Sequence, residues 1–590
     1  MKDFIKNVFA TVLGIFLFMI ITGLFCMMSI IGMVAAGEQT KSVKDNSVLV
    51  MNLNAAMEER ADSNPFSELM GDMGSTLGLE DMLSAIKKAK DNDKIKGIYI
   101  EAGAFSPDSY ASLQALRRAL ADFRKSGKWI VAYADTYTQG AYYIASVADK
   151  VWLNPQGMVD WHGLGAQKMY LKGLMEKFGV KMQVAKVGTY KSAVEQFTND
   201  KMSDADRKQT EDYINGIWQQ VTSDVAASRK LTAATLNAYA DSLITFDDPK
   251  QLVGMKMVDQ LMYTDQVKAE VKKLLKIDED DDINQLSISD MKNVKEKDRD
   301  GDEIAVYYAY GDIVDGVAGN QFSKSAVIDA QVVCKDLEEL MDDDDVKAVV
   351  LRINSGGGSA YASEQIWHQI MELKKKKPVV VSMGGMAASG GYYISAPANW
   401  IVAEPTTLTG SIGIFGMFPD MSGLLTEKLG LRFDEAKTNK YSVFGTNARP
   451  FTADEMAHLE NYIDRGYKLF RQRVAEGRGM KTEQVEEIAQ GHVWLGKDAK
   501  PIKLVDQLGS LDDAIAKAAE LAKLKEYYTN PYPEKDDWFE SFMKDTKNGN
   551  YLDAQLRMTL GDLYEPFLLM RTINSQSAIQ ARVPYYIIIR

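Results

Sequence analysis

The chain repeats part of its own sequence once, at a spacing of about 250 residues. Residues 383–394, Met-Gly-Gly-Met-Ala-Ala-Ser-Gly-Gly-Tyr-Tyr-Ile, align with residues 133–144, Tyr-Ala-Asp-Thr-Tyr-Thr-Gln-Gly-Ala-Tyr-Tyr-Ile, which lie 250 positions earlier. Shorter matches at nearly the same spacing join 258–261 to 505–508. A period of this size is too long for a solenoid. It predicts two whole domains of one fold, for which 590 residues are ample.

Apolar strands alternate with helical patterns in both copies, which predicts an α/β fold with layered sheets. The predicted strands cover residues 47–53, 95–100 and 129–133 in the first copy and residues 304–310, 346–353 and 379–382 in the second, where a helix follows over 359–373. The acidic run 278–282 and the mixed-charge stretch 292–303 separate the copies, since such compositions bury little apolar area. We therefore expect a tail and anchor (1–44), a first repeat (45–291), a second repeat (292–525) and an extension (526–590) of unassigned role.

The amino-terminal region predicts a membrane anchor. Residues 8–37 contain no charged residue and exceed the roughly 20 residues that a helix needs to cross the hydrocarbon. A cleaved signal peptide is the alternative, although its apolar region is usually about 7 to 15 residues long. Lys2 and Lys6 precede the span and the next basic residue is Lys41, so the positive-inside rule leaves the tail in the cytoplasm and nearly all of the chain outside.

Composition excludes several other classes of protein. The formal charge of −13 argues against a nucleic-acid partner, which would require a basic face. Cys26 lies inside the apolar span and Cys334 in the second copy, so no disulfide is expected within the folded body. Asp298, Asp300 and Asp302 resemble the start of a calcium loop but lack its glycine and its final glutamate. No metal or cofactor is expected.

A glycine loop and a serine follow successive strands of the second copy. Asn354-Ser-Gly-Gly-Gly-Ser359 stands between a strand and a helix, where consecutive glycines can turn their N–H groups towards an oxyanion; a plain turn is the alternative. Ser389 follows the next strand and precedes a helix, so it is either a candidate nucleophile or a helix N-cap. The first copy has Gln139 in the equivalent position and has lost the glycine run.

A nucleophilic serine needs a base, and the four histidines form no recognisable triad pattern. Lys191, in Gly-Thr-Tyr-Lys-Ser, aligns with Ser442 of the second copy, so one copy retains a serine and the other a lysine. A lysine acts as a base only when it is neutral, which requires lowering a pKa near 10.4 by about 3 units at a cost of roughly 4 kcal/mol. Without such burial Lys191 would be an ordinary surface residue.

Taken together, these motifs resemble signal peptide peptidase A, or protease IV, a family of the ClpP/crotonase-like superfamily. The resemblance is to the long, duplicated, membrane-anchored form, covers residues 45–525, and is carried by residues 387–394, Leu408-Thr-Gly-Ser-Ile-Gly-Ile414 and Tyr190-Lys-Ser-Ala193. It implies tandem ClpP/crotonase-like domains and a Ser-Lys serine endopeptidase. The implied site residues are Ser389 as nucleophile, Lys191 as base, Ser411 as a hydroxyl that positions the lysine, and Gly357, Gly358 and Gly390 as the oxyanion site.

The resemblance also implies substrates and assembly. The substrates would be released signal peptides and other hydrophobic or unfolded segments, cleaved by a homotetramer on the periplasmic side of the inner (cytoplasmic) membrane. One departure from the family pattern is Gly356, which replaces a proline and loosens the loop by of order 1 kcal/mol of unfolded-state entropy. The sequence leaves open whether Lys191 serves a serine of its own chain or of a neighbour.

Two other functions are alternatives to a protease. A crotonase-type acyl-CoA enzyme would use the same glycine loop, but it leaves Ser389 without a role and would lack acyl-CoA outside the cytoplasm. A non-catalytic membrane scaffold of two degenerate domains does not explain why a serine and a lysine persist in complementary copies. Since Gln139 and Ser442 replace the serine and the lysine at the reciprocal pairing, we expect only one competent site per chain.

Overall fold

The computed structural model describes residues 6, 11, 13–22, 41–61, 76–294, 300–316, 326–535, 579–583 and 588–589. The strands of the first repeat are Ser47–Asn52 (β1), Ala56–Glu58 (β2), Thr76–Gly78 (β3), Ile95–Glu101 (β4), Trp129–Tyr137 (β5), Lys150–Val159 (β6), Ala166–Gln167 (β7), Lys181–Lys186 (β8), Gln260–Leu261 (β9) and Asn284–Leu286 (β10). Its helices are Leu79–Asp91, Tyr110–Arg124, Gln139–Ala145, Lys172–Lys177, Glu195–Thr198, Asp204–Arg229, Ala233–Asp241, Pro249–Gly254, Thr264–Leu275 and Ile288–Lys292, with a 3-10 turn at Ile244–Phe246.

The second repeat follows the same plan. Its strands, with those that come after it, are Asp302–Tyr310 (β11), Asp312–Val314 (β12), Val327–Asp329 (β13), Val346–Ser355 (β14), Gly357–Ser359 (β15), Val379–Ala388 (β16), Trp400–Ala403 (β17), Leu408–Gly410 (β18), Phe415–Asp420 (β19), Val493–Leu495 (β20), Gln507–Leu508 (β21), Tyr527–Tyr532 (β22), Ile579–Arg582 (β23) and Ile588–Ile589 (β24). The helices are Ala330–Asp342, Ala360–Lys376, Gly390–Ser395, Ala453–Arg478, Thr482–Ile488, Gly496–Ala499 and Leu511–Ala522, and Gly423–Lys428 forms a π turn.

Each repeat is built on its own largely parallel sheet. The first sheet has the strand order β10-β1-β4-β5-β6-β9, and the second runs β20-β18-β16-β14-β11-β22, with β17 attached to β16 and β21 attached to β17. Helices cover both sheets, so the central strands are apolar almost throughout, as parallel strands buried on two faces require; Val346–Ser355 is one example. The predicted α/β class is thereby confirmed.

The equivalent strands of the two sheets extend the duplication past residue 525. β10 pairs in parallel with the first strand of its repeat, and β22 pairs in the same way with β11. Tyr527–Tyr532 therefore supplies the edge strand of the second sheet, although the sequence places it in the extension.

A third sheet joins the repeats. It has the order β13-β12-β15-β23-β19-β8, and β8 of the first repeat pairs with β19 of the second from Lys186↔Phe415 to Lys181↔Asp420. Because this ladder crosses between the repeats, it fixes the segment that follows β8 against the second sheet. That segment contains Lys191.

Ion pairs also cross between the repeats. Arg352 Nε lies 2.6 Å from Glu59 Oε1, with both side chains almost fully buried, and the same guanidinium donates to the Ser382 hydroxyl. Arg118 donates to both oxygens of the buried Glu404 carboxylate. These contacts hold the two sheets in one relative position.

The predicted span lies mostly outside the described residues. Residues 13–22 are helical with exposed apolar side chains. Within the part of the chain that the structure describes, no helix is long and apolar enough to cross a membrane.

Candidate active site

Ser389 lies at the junction between β16 and the buried helix Gly390–Ser395. Its backbone has φ +56° and ψ −114°, a conformation that costs a non-glycine residue of order 1–3 kcal/mol and is concentrated at functional sites. The side chain is fully buried and makes no capping hydrogen bond to the helix. The N-cap alternative therefore does not account for this hydroxyl.

The amine of Lys191, which is 198 residues away along the chain, contacts the Ser389 hydroxyl directly. Lys191 Nζ lies 2.6 Å from Ser389 Oγ and 3.1 Å from both the hydroxyl and the carbonyl oxygen of Ser411. Ser411 also has a positive φ, +51°, which turns both of its oxygens towards the amine. The serine of one repeat and the lysine of the other thus meet within a single chain.

The surroundings of Lys191 favour its neutral form. Only 1% of the residue is exposed, and among the described residues no carboxylate forms an ion pair with it. Burial lowers the pKa of the Lys191 ammonium well below its ordinary value of 10.5, and the nearby positive charge of Arg582 lowers that pKa further. A buried amine with a depressed pKa beside a hydroxyl can accept the proton of that hydroxyl.

The loop that carries Lys191 is clamped onto the second repeat. Tyr190 N donates to the carbonyl of Gln490 in the second repeat. Gln209 of the first repeat donates through Nε2 to Tyr190 O and to the Ser192 hydroxyl, and its Oε1 accepts from Val493 N of the second repeat. Gly491 approaches so closely that a Cβ on it would lie 2.6 Å from Lys191 N. No local sequence signal marks these supports, because they depend on the contact between repeats.

The glycine loop passes beside the serine. Gly357 has φ +98°, and a Cβ on it would meet Ala581 O at 2.0 Å and Gly390 N at 2.7 Å. The N–H of Gly357 donates to the Ser355 hydroxyl. Close packing alone therefore demands glycine here, and the same loop brings its backbone next to the N–H of Gly390.

The reciprocal position holds no comparable pair. Gln139 is buried, donates to Tyr110 and to Gly163 O, and accepts from the N–H groups of His162 and Gly163. Its amide is thus fully used in holding the loop after β6. Ser442, the counterpart of Lys191, is exposed in a turn and bonds to neighbours within four residues.

Similarity to known proteins identifies the family of the chain. The sequence profile described as Peptidase family S49 matches residues 122–278 and 371–525, and the Clp protease profile matches residues 322–401. The chain is 36% identical to Protease 4 of Salmonella typhi over 98% of this chain and 92% of that protein. The chain belongs to peptidase family S49. This S49 peptidase is also 33% identical to Protease 4 of Haemophilus influenzae, over 89% of this chain and 88% of that one.

A plant relative adds the reaction class. The serine protease SPPA, chloroplastic, of Arabidopsis thaliana is 30% identical over 82% of this chain and 70% of its own length. The protein is therefore a serine protease of the signal-peptide-peptidase type, with two S49 domains of ClpP-like α/β fold. Neither a crotonase-type acyl-CoA enzyme nor a non-catalytic scaffold is favoured.

Proposed function

We propose that this S49 peptidase cleaves peptide bonds with Ser389 as nucleophile and Lys191 as general base. The observation that carries the proposal is the 2.6 Å separation of Lys191 Nζ and Ser389 Oγ in a buried site that depresses the lysine pKa. In this proposal the lysine comes from the first repeat (45–291) and the serine from the second (292–525).

The steps follow from the placement of the groups. Neutral Lys191 takes the Ser389 proton while Oγ bonds to the substrate carbonyl carbon, and the resulting oxyanion accepts hydrogen bonds from the backbone N–H groups of Gly358 and Gly390. The N–H of Gly357, which donates to the Ser355 hydroxyl in the free site, exchanges that partner for the oxyanion. The lysine ammonium then returns the proton to the departing amine. Water, deprotonated by the same lysine, hydrolyses the acyl-enzyme and regenerates Ser389. The hydroxyl and carbonyl oxygens of Ser411 keep the Lys191 amine directed at Ser389 Oγ during all of these steps.

We propose released signal peptides and other hydrophobic or unfolded segments as substrates. Support comes from the names of the relatives and from the glycine loop, which lines the site beside Ser389 with backbone groups. An extended segment presents repeating N–H and C=O groups to such a lining.

One experiment tests the nucleophile and the single-site expectation together. A fluorophosphonate probe followed by peptide mapping should modify Ser389 at one equivalent per chain, because a depressed lysine pKa activates only this hydroxyl. The variant Gln139→Ser in a Ser389→Ala background should remain unlabelled and inactive, since the first copy has no base and no glycine loop. A second labelled equivalent in the first copy, or no label on Ser389, would contradict the assignment.

We further propose that residues 8–37 anchor the protein in the inner membrane, with Lys2 and Lys6 on the cytoplasmic side and the catalytic body in the periplasm. The uncharged length of this segment supports the proposal. Protease added to intact spheroplasts should digest the body while cytoplasmic markers survive. Digestion only after lysis would show the opposite orientation.

We also propose a homotetramer. Apolar side chains exposed on one segment of the second repeat support assembly, since such patches mark contact surfaces; they are Leu429 (60% exposed), Leu431, Phe433 and Phe444. Sedimentation velocity of the detergent-solubilised protein should give four chains per particle, and a monomer at micromolar concentration would exclude this.

A further inference from the structure

Gln209 is a buried amide that bonds to both repeats. Only 2% of the residue is exposed. Its Nε2 donates to Tyr190 O and to the Ser192 hydroxyl, each at 3.1 Å, and so contacts the residues on either side of Lys191. Its Oε1 accepts from Val493 N of the second repeat at 3.4 Å. One side chain thus connects the segment that carries the proposed base to the repeat that carries the serine.

A buried ion pair fixes the direction in which this amide points. Lys168 Nζ lies 2.7 Å from Asp206 Oδ1, and both side chains are 2% exposed. The same Oδ1 atom accepts from Gln209 Nε2 at 3.2 Å. The carboxylate and the Tyr190 carbonyl can only accept a hydrogen bond, whereas the Val493 N–H can only donate one. A reversed amide would therefore place oxygen against oxygen and N–H against N–H, so a single orientation is allowed.

The helix that carries Gln209, Asp204–Arg229, is attached to the same segment a second time. Its N-cap residue is Ser203, which donates through N and Oγ to the buried carboxylate of Glu195 at 3.0 and 2.8 Å. Glu195 lies four residues after Lys191. The start of this helix and the segment around Lys191 are therefore held together, and the Gln209 amide joins both of them to the second repeat.

Lys191 must satisfy two conditions to act as the base. Its Nζ must stay 2.6 Å from Ser389 Oγ, which belongs to the other repeat, and burial must keep its pKa low. Misplacement of reacting groups by about 1 Å can reduce a rate by about 10²-fold. A loosened segment would also admit water, which favours the charged ammonium. Both conditions depend on how firmly the Lys191 segment is attached to the second repeat.

We propose that Gln209 is a positioning residue of this protease, which sets the distance between the base of the first repeat and the nucleophile of the second. The inference rests on the proposed roles of Lys191 and Ser389. Gln209 acts through the backbone of Tyr190 and not on the reacting atoms. The ion pair of Asp206 supports it by orienting the amide.

A change at Gln209 can be made without changing any charge near the base. The charged or titratable side chains around Lys191 and Gln209 are Lys168, Lys186, Glu195, Asp206, Lys208, Asp212, His492 and Arg582. An apolar side chain at position 209 leaves all of them in place. A shift in the pH dependence of such a variant therefore reports the position and burial of the Lys191 amine.

The variant Gln209→Met tests the inference, because methionine keeps the length of the side chain and removes the amide. On a fluorogenic peptide, kcat should fall by at least about tenfold while KM stays nearly unchanged, since the base is misplaced and the substrate contacts remain. The acid limb of kcat/KM should move to higher pH, because a more hydrated amine holds its proton more strongly. Gln209→Asn keeps an amide that is too short to reach both repeats, so it should shift the limb in the same direction.

Gln114 provides a matched control. It is a buried glutamine of the first repeat whose Oε1 accepts from Thr406 N and Thr406 Oγ1 of the second repeat. Gln114→Met therefore removes a comparable contact between repeats at a different place from the Lys191 segment. It should leave kcat and the acid limb unchanged.

Thermal unfolding of every variant separates positioning from folding. A Gln209 variant with a lowered melting temperature but the acid limb of the parent would show a purely structural role and overturn the inference. The same shift in Gln114→Met would overturn it as well, because any loosening of the interface would then suffice. Lys191→Ala is measured in the same series. Its activity would refute the dyad and the inference together, whereas an inactive Lys191→Ala beside a parent-like Gln209→Met would refute the positioning role alone.

Discussion

Replacing Ser389 by alanine is expected to reduce peptide hydrolysis by about 10³-fold or more, as removal of a nucleophile does in other serine proteases. Lys191→Ala should cause a loss of similar size, because no other described base lies within hydrogen-bonding distance of the Ser389 hydroxyl. Lys191→Arg should be equally inactive, since a guanidinium keeps its proton at any accessible pH. Turnover of casein measures all three variants. Activity close to that of the unmodified enzyme in any of them would refute the dyad.

Stability measurements distinguish a variant that folds but has lost its catalytic group from a variant that no longer folds. Lys191→Met removes a buried amine whose charged form is disfavoured and supplies an apolar chain of similar length, so its melting temperature should equal or exceed that of the parent. Ser389→Gly should be at least as stable as Ser389→Ala, because glycine adopts φ +56° without strain. If these variants melt far below the parent, inactivity would say nothing about the dyad.

The second large effect is the dependence of activity on pH. Lys191 must be neutral to accept a proton, and its ammonium has a lowered pKa. Activity should therefore rise with pH through that pKa, and on the acid side it should fall by about tenfold for each pH unit as the lysine gains its proton. Initial rates of kcat/KM from acidic to alkaline buffers measure this limb. A profile that stays flat far into the acid range would indicate a carboxylate or histidine base.

Two buried carboxyl groups also have raised pKa values and need a control. Burial raises the pKa of Glu404 to about 7 and that of Asp108 to about 6, both at the contact between repeats. Glu404→Gln removes the first of these titrations while keeping the hydrogen-bonding shape of the side chain. The acid limb should survive this change if Lys191 causes it, whereas a limb that disappears would belong to the interface.

The lowered lysine pKa also gives stability a pH dependence of known sign. Between the depressed pKa of the folded protein and the ordinary value of 10.5, the unfolded chain binds one proton more at this position than the folded chain does. Stability therefore rises with pH through this window as far as Lys191 is concerned. Lys191→Met should remove that contribution from the pH dependence of unfolding.

Local patterns were sufficient to predict the main strands and the helix after the glycine loop. Apolar runs bounded by turn residues predicted residues 346–353, which lie in Val346–Ser355. The helix predicted over 359–373 is Ala360–Lys376, capped by Ser359. Such elements can be predicted from sequence because their burial and capping depend on neighbouring residues. The short strands β8, β15 and β23 were not predicted, since each is stabilised by partners distant in the chain.

The sequence by itself determined that two copies of one fold are present and that the serine and the lysine survive in different copies. It could not determine whether these two residues meet within one chain, nor where residues 579–583 lie. Tertiary structure decided both: the ladder between β8 and β19 carries Lys191 across to a serine 198 residues away, and β23 lies between two strands that are more than 150 residues distant in sequence. The physical reason is that hydrogen-bonded strand pairing is specified by edges that exist only once the sheets have formed, so local residue patterns carry no record of it.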